Sequence, residues 1–144
     1  AERRFDIRLR NDRVVLIDDY AHHPEELTRS ILSVKELYAG RRITGIFQPH
    51  LYSRTRDFAD EFARSLSLLD ELILVDIYPA REEPIPGVTS EMILEHVTIA
   101  DKRCCTKAEL PDIIAAGTFD VVLILGAGDI DRLVEPIRQI LAQR

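Results

Sequence analysis

Four short apolar runs, at residues 14–17, 43–47, 72–75 and 121–125, constrain this chain more than any other feature, because each has the length of a β-strand and most lead into a segment with helical periodicity. Strands that alternate with helices pack as a mostly parallel sheet, covered on both faces and wound by right-handed crossovers. Before the first of these runs, Phe5, Ile7 and Leu9 alternate with polar residues, as a half-exposed strand does. The tight Asn11-Asp12 link joins that strand to the more buried one at 13–18, which predicts an antiparallel hairpin at the edge of the sheet.

The helical segments are marked by their stripes. From Pro24, a residue suited to a first helical position, Leu27, Ile31, Val34 and Tyr38 share one face, while Glu25, Glu26, Arg29, Ser33 and Glu36 share the other. Gly40 ends this helix. Phe58, Phe62, Leu66 and Leu69, spaced four, four and three, predict a second apolar stripe. Thr89 and Ser90 predict a cap for a short helix through Leu94, followed by a strand near 103–106 and a helix over 108–116. Pro136 predicts a kink or break in a last helix that starts near Ile130. The expected fold is therefore α/β: a three-layer, doubly wound, Rossmann-like sheet with an antiparallel N-terminal edge hairpin. With no repeat, linker or low-complexity segment, residues 1–144 read as one domain.

Composition narrows the function. The chain has 46% hydrophobic and 31% charged residues, and no apolar run approaches the ~20 residues of a membrane span. A formal charge of −6 argues against a nucleic-acid surface, which needs clustered Lys and Arg, although Arg54 and Arg56 leave room for a small anion. Ala1 to Arg4 show no signal-peptide pattern, and a cytoplasmic location is expected. Cys104 and Cys105 are adjacent on a strand, point to opposite faces and read as ordinary reduced cysteines. The first residue is Ala and the single Met is Met92, so the expectation is a fragment of a longer protein, or a tagged chain trimmed at its start.

The chemistry is concentrated where strands end. In an open α/β sheet ligands bind at the carboxyl ends of the strands, and two such ends carry Asp18-Asp19-Tyr20-Ala21-His22-His23-Pro24 and Phe47-Gln48-Pro49-His50-Leu51-Tyr52-Ser53-Arg54-Thr55. Asp18 or Asp19 could accept from ribose hydroxyls or hold a magnesium-bound water, or could cap the next helix. His22 and His23 point in alternate directions; an imidazole in the crevice could bond a phosphate or an incoming amine. Arg54 has the planar fork that grips a carboxylate or phosphate, with His50 on the same loop. A zinc site from His22, His23, His50 and Asp19 is open by residue type but lacks paired-ligand spacing, and no metal is assigned. Gly126-Ala127-Gly128-Asp129 follows the last strand, where glycines let backbone approach a ligand; it is not a dinucleotide fingerprint, since the third glycine position is Asp131.

These motifs, in this order, resemble the C-terminal domain of the Mur ligases, and the resemblance extends over essentially the whole chain. It implies an ATP-dependent ligase that phosphorylates a carboxylate and lets an amine attack the acyl phosphate in peptidoglycan synthesis. The Phe47 to Thr55 wording is most particular to the alanine-adding branch, whose substrates are UDP-N-acetylmuramate, L-alanine and ATP with Mg2+. By the resemblance Asp19, Tyr20 and His22 serve the nucleotide, His22, His50 and Arg54 the reaction, and His50, Arg54, Gly126, Ala127 and Gly128 the substrate side. Leu51 stands where many relatives carry Arg, and Ala21 where many carry Gly; the missing contact is absent or comes from another residue, such as Arg81. No phosphate-binding Gly-x-x-x-x-Gly-Lys-[Ser/Thr] loop occurs. The UDP-binding N-terminal domain and the ATP-binding central domain are thus expected elsewhere in the same chain, and the fragment alone is expected to be inactive. The alternatives are a related Mur enzyme such as a murein tripeptide ligase, a stand-alone nucleotide- or anion-binding module, and a metal-dependent hydrolase.

Overall fold

The computed structural model describes residues 4–144; Ala1 to Arg3, read above as showing no signal-peptide pattern, lie outside the described residues. Strands β1 (Asp6–Arg10) and β2 (Val15–Asp19) form the expected antiparallel hairpin. Asn11 turns it: its Oδ1 accepts from the N–H groups of Arg13 and Val14 at 2.9 and 3.0 Å. Then follow α1 (Pro24–Leu37), β3 (Ile43–Phe47), α2 (Tyr52–Leu66), β4 (Glu71–Val75), α3 (Glu91–Leu94), β5 (Lys102–Cys105), α4 (Leu110–Ala116), β6 (Val121–Leu125), a 3-10 helix (Asp129–Leu133) and α5 (Val134–Ala142). The sheet order is β1-β2-β6-β3-β4-β5, parallel throughout except for the β1 edge.

Both faces of the sheet are buried, so its inner strands are apolar apart from Asp18 and Asp19 at the end of β2 and the hydrogen-bonded pair Thr44 and Glu71. Val15, Ile17, Phe47, Leu72, Leu74, Leu123 and Leu125 pack with Leu27, Ile31 and Val34 of α1 and Phe62 and Leu66 of α2. The alternate residues Leu16, Ile46, Ile73, Val122 and Ile124 pack with Leu110 and Ile114 of α4 and Ile137 and Leu141 of α5. Cys104 and Cys105 divide between these two cores as alternation requires, and burial pushes their thiols up to about 12 and about 11. They are inert at neutral pH.

Three details differ from the sequence reading. Phe58 is 43% exposed rather than part of the α2 stripe, because the backbone leaves helical geometry there (φ −123°, ψ 21°) and turns the ring outward. Ser90 does not cap α3; its hydroxyl donates to the Val75 carbonyl at 2.7 Å and fastens the loop to β4. Pro136 does not kink a helix from within. The chain runs as a 3-10 turn first, and Pro136 falls in the first turn of α5, where no intrahelical N–H bond is due.

Candidate active site

The loops after β2 and β3 meet because β6 lies between those strands and pairs with both. Asp19, at the end of β2, is 5% exposed, and each carboxylate oxygen already accepts a hydrogen bond: Oδ1 from the Ala21 N–H at 3.0 Å, Oδ2 from the Ser30 hydroxyl at 2.7 Å. It braces the loop against α1. Asp18 is 1% exposed and lies 3.8 Å from the Arg8 guanidinium.

That brace sets the direction of His22. Its Nδ1 lies 3.0 Å from the Tyr20 carbonyl, which can only accept, so in the neutral ring Nδ1 carries the proton and Nε2 the lone pair. The ring meets Tyr20 edge-on at 5.2 Å between centroids, His23 at 4.5 Å and His50 at 6.0 Å. His50 has the opposite tautomer. Its Nδ1 accepts from Arg54 Nη1 at 3.3 Å, which leaves its proton on Nε2. Burial, the Arg54 charge and His22 together hold the His50 pKa below its ordinary value, so the ring is neutral at pH 7. Burial, His22 and Arg54 depress exposed His23 likewise, against a smaller pull from Glu26. The site therefore pairs an imidazole acceptor with an imidazole donor, beside a guanidinium with N–H groups to spare.

Glu26, placed by the sequence on a solvent face, turns back instead. Its Oε1 accepts from the N–H groups of His22 and His23, both at 3.1 Å, and its Oε2 from Arg4 at 2.9 Å. The signal was its position three residues beyond His23, the spacing of a capping box. Burial alone would raise its pKa; the two N–H donors, Arg4 and His22 more than offset this and hold it at about 2, against an ordinary 4.5. Its stabilising contribution is thus complete above about pH 4.5 and is lost as the pH falls toward 2. Glu26→Gln is expected to lower the melting temperature at pH 7, with the gap to the unchanged chain narrowing across that window. A gap that stays constant down to pH 2 would overturn this account. Ligand atoms of His22, His23 and Glu26 lie within 4.8 Å of one another, but with the Glu26 carboxylate so engaged no metal role follows. Asp19 is likewise turned away from any zinc set.

Gln48, quoted in the second motif but given no role, is 1% exposed and ties that loop to the glycine turn. Its Nε2 donates to Asp129 Oδ1 at 2.8 Å, and its Oε1 accepts from the Ile130 N–H at 3.0 Å. Gly128 must be small here: a Cβ would stand 2.5 Å from Gln48 Oε1 and 2.6 Å from Tyr78 Cγ. The turn opens a 3-10 helix whose first residue, Asp129, also pairs with Lys107, so a carboxylate already sits at that terminus. Arg56 pairs with its neighbour Asp57, and Arg81 is exposed. At Leu51 the backbone takes φ +74°, a strain of about 1–3 kcal/mol for a residue with a side chain, and the first turn of α2 follows at once.

Two histidines of opposite tautomer and an arginine thus stand at the carboxyl ends of β2 and β3, on either side of β6, where open α/β sheets of the ligand-binding class hold their ligands. The chain belongs to the family described as Mur ligase, glutamate ligase domain, whose model matches residues 3–128. It is 70% identical over 142 residues to the UDP-N-acetylmuramate–L-alanine ligase of Parabacteroides distasonis, a match that covers 99% of this chain and 31% of that protein. Among solved structures it resembles the UDP-N-acetylmuramate-alanine ligase MurC of Thermotoga maritima, with TM-score 0.73 and 28% identity over 98% of this chain and 29% of that one. The murein peptide ligase of Psychrobacter arcticus shares the fold, with TM-score 0.71 and 23% identity over 99% and 29% of the two chains. The chain thus spans about a third of the length of the curated relatives it matches.

Proposed function

We propose that this chain is the C-terminal domain of an ATP-dependent ligase that joins L-alanine to UDP-N-acetylmuramate in peptidoglycan synthesis, a cytoplasmic reaction. The observation that carries the reading is the convergence of His22, His50 and Arg54 in a chain 70% identical to an alanine-adding ligase. Arg54 binds the alanine carboxylate through its free N–H groups. The His22 Nε2 lone pair takes the proton that the attacking amine releases. His50 Nε2–H donates to the oxyanion of the tetrahedral intermediate. The Gly126, Ala127 and Gly128 backbone borders the product side.

ATP is a substrate here, and the central domain of the parent chain holds most of it together with Mg2+. On this domain Tyr20 and His22 face the nucleotide. Asp19 acts through the loop it braces, since both its oxygens have partners within the chain. The domain supplies no turnover alone. Closing it over the other two excludes water from the acyl phosphate and completes the site.

Arg54→Lys in the full-length enzyme keeps the charge and loses the fork. The Michaelis constant for L-alanine is expected to rise about tenfold or more, with that for ATP changed much less. Steady-state kinetics with each substrate varied in turn will decide. If the ATP constant rises while the alanine constant stays put, Arg54 belongs to the nucleotide side and this assignment fails.

A further inference from the structure

Tyr78 belongs to none of the motifs given a role above. It lies in the segment between β4 and α3, yet its ring stacks on His50 with centroids 5.6 Å apart and planes 13° from parallel. Its backbone grips the residues on either side of that histidine: the Tyr78 N–H donates to the Pro49 carbonyl at 2.8 Å, and the Leu51 N–H donates to the Tyr78 carbonyl at 2.8 Å. These two bonds make a one-residue parallel bridge between His50 and Tyr78. Four residues on, Glu82 accepts from the Ser53 N–H at 3.1 Å and from the Ser53 hydroxyl. This supplies the helix-end partner that Leu51, at the N-cap of α2 and without a polar side chain, cannot give. Behind Tyr78 the chain leaves no room, since a Cβ on Gly128 would stand 2.6 Å from its Cγ.

We propose that Tyr78 is a positioning residue for the ligase reaction: its ring fixes the plane of His50, while its backbone and Glu82 hold the Leu51 bend that sets Arg54 beside that imidazole. The proposal rests on the ligase reading for its consequence in catalysis, but not for its geometry. An imidazole free to rotate would point its Nε2–H away from the reacting atoms and release Arg54, and small misplacements of such groups cost large factors in rate. The groups that face His50 are Arg54 from α2, His22 and His23 from the β2–α1 loop and Glu82 from the Tyr78 segment. Burial is the main cause of its lowered pKa, and the Tyr78 ring is one wall of that burial.

The test compares Tyr78→Phe, which keeps the stacked ring, with Tyr78→Leu and Tyr78→Met, which remove it. In the chain labelled with 15N-histidine, which has four histidines, the His50 titration is expected to move up toward its ordinary value in the ringless variants and to stay in place in Tyr78→Phe. In the full-length enzyme the ringless variants are expected to lose about tenfold or more in kcat/KM for alanine, with the ATP constant little changed, and Tyr78→Phe to retain most of it. Unchanged His50 titration in the ringless variants overturns the proposal. So does failure of both ringless variants to fold while Tyr78→Phe folds, since Tyr78 would then serve the fold. The ligase reading fails separately, if His50→Ala leaves alanine kinetics unchanged, whatever Tyr78 does to the titration.

Discussion

Replacing His22 by alanine in the full-length enzyme is expected to lower turnover by about 10²-fold or more, the scale of a lost proton acceptor or electrostatic contact in the transition state. That factor corresponds to about 2.7 kcal/mol at the barrier. The tautomer makes the prediction sharper. Since Nδ1 is tied to the Tyr20 carbonyl at 3.0 Å, His22→Asn can keep an N–H on that carbonyl and with it the course of the loop, while removing the Nε2 lone pair. The Asn and Ala variants should therefore be equally slow, with melting temperatures close to that of the unchanged enzyme. Turnover within about twofold of normal in His22→Asn would show that the imidazole only shapes the loop.

The second large effect is on stability. Phe62 is fully buried under α2, with its ring 5.5 Å from that of Phe47 on β3. Phe62→Ala removes the ring and leaves a cavity between helix and sheet, at a cost of about 3–5 kcal/mol. Domains of this size have about 5–15 kcal/mol in all, so the melting temperature is expected to fall by roughly 10–20 °C. Phe58→Ala, four residues earlier in the same sequence stripe, should change stability by no more than about 0.5 kcal/mol, because that ring is exposed. Thermal and denaturant unfolding of the two variants side by side gives the answer. Comparable losses would mean that Phe58 is buried after all.

The contrast between those two phenylalanines shows what a sequence can carry. Strands at 43–47 and 121–125 and the helix from Pro24 were legible because local periodicity and a proline suited to the first turn agree with tertiary packing. Phe58 was not, since the departure from helical geometry there is a property of the folded backbone and has no local marker in residue type. The site divides in the same way. His22, His50 and Arg54 could be picked out because each follows a strand end, and the fold brings their side chains together. Tyr78 and Glu82 lie more than 25 residues further along the chain, and only the pairing of β3 with β4 brings them against His50 and Ser53. Glu26 is the intermediate case: helical periodicity placed it on the solvent side, although its spacing from His23 is one that a capping-box reading would have picked out.

The strand that occupies the middle of the sheet is the last one to be made. Until residues 121–125 leave the ribosome, β2 and β3 have no common neighbour, and the gap between them is as wide as a missing strand. A growing chain can bury α1 on β2 and α2 on β3 and β4, but it cannot bring His22 within reach of His50. The ring-to-ring contact of 6.0 Å is thus a long-range one, set by the seating of the sheet strand that comes last in sequence between two that come early. Residues 121–125 carry none of the site's side chains, yet they are the wedge that sets its width.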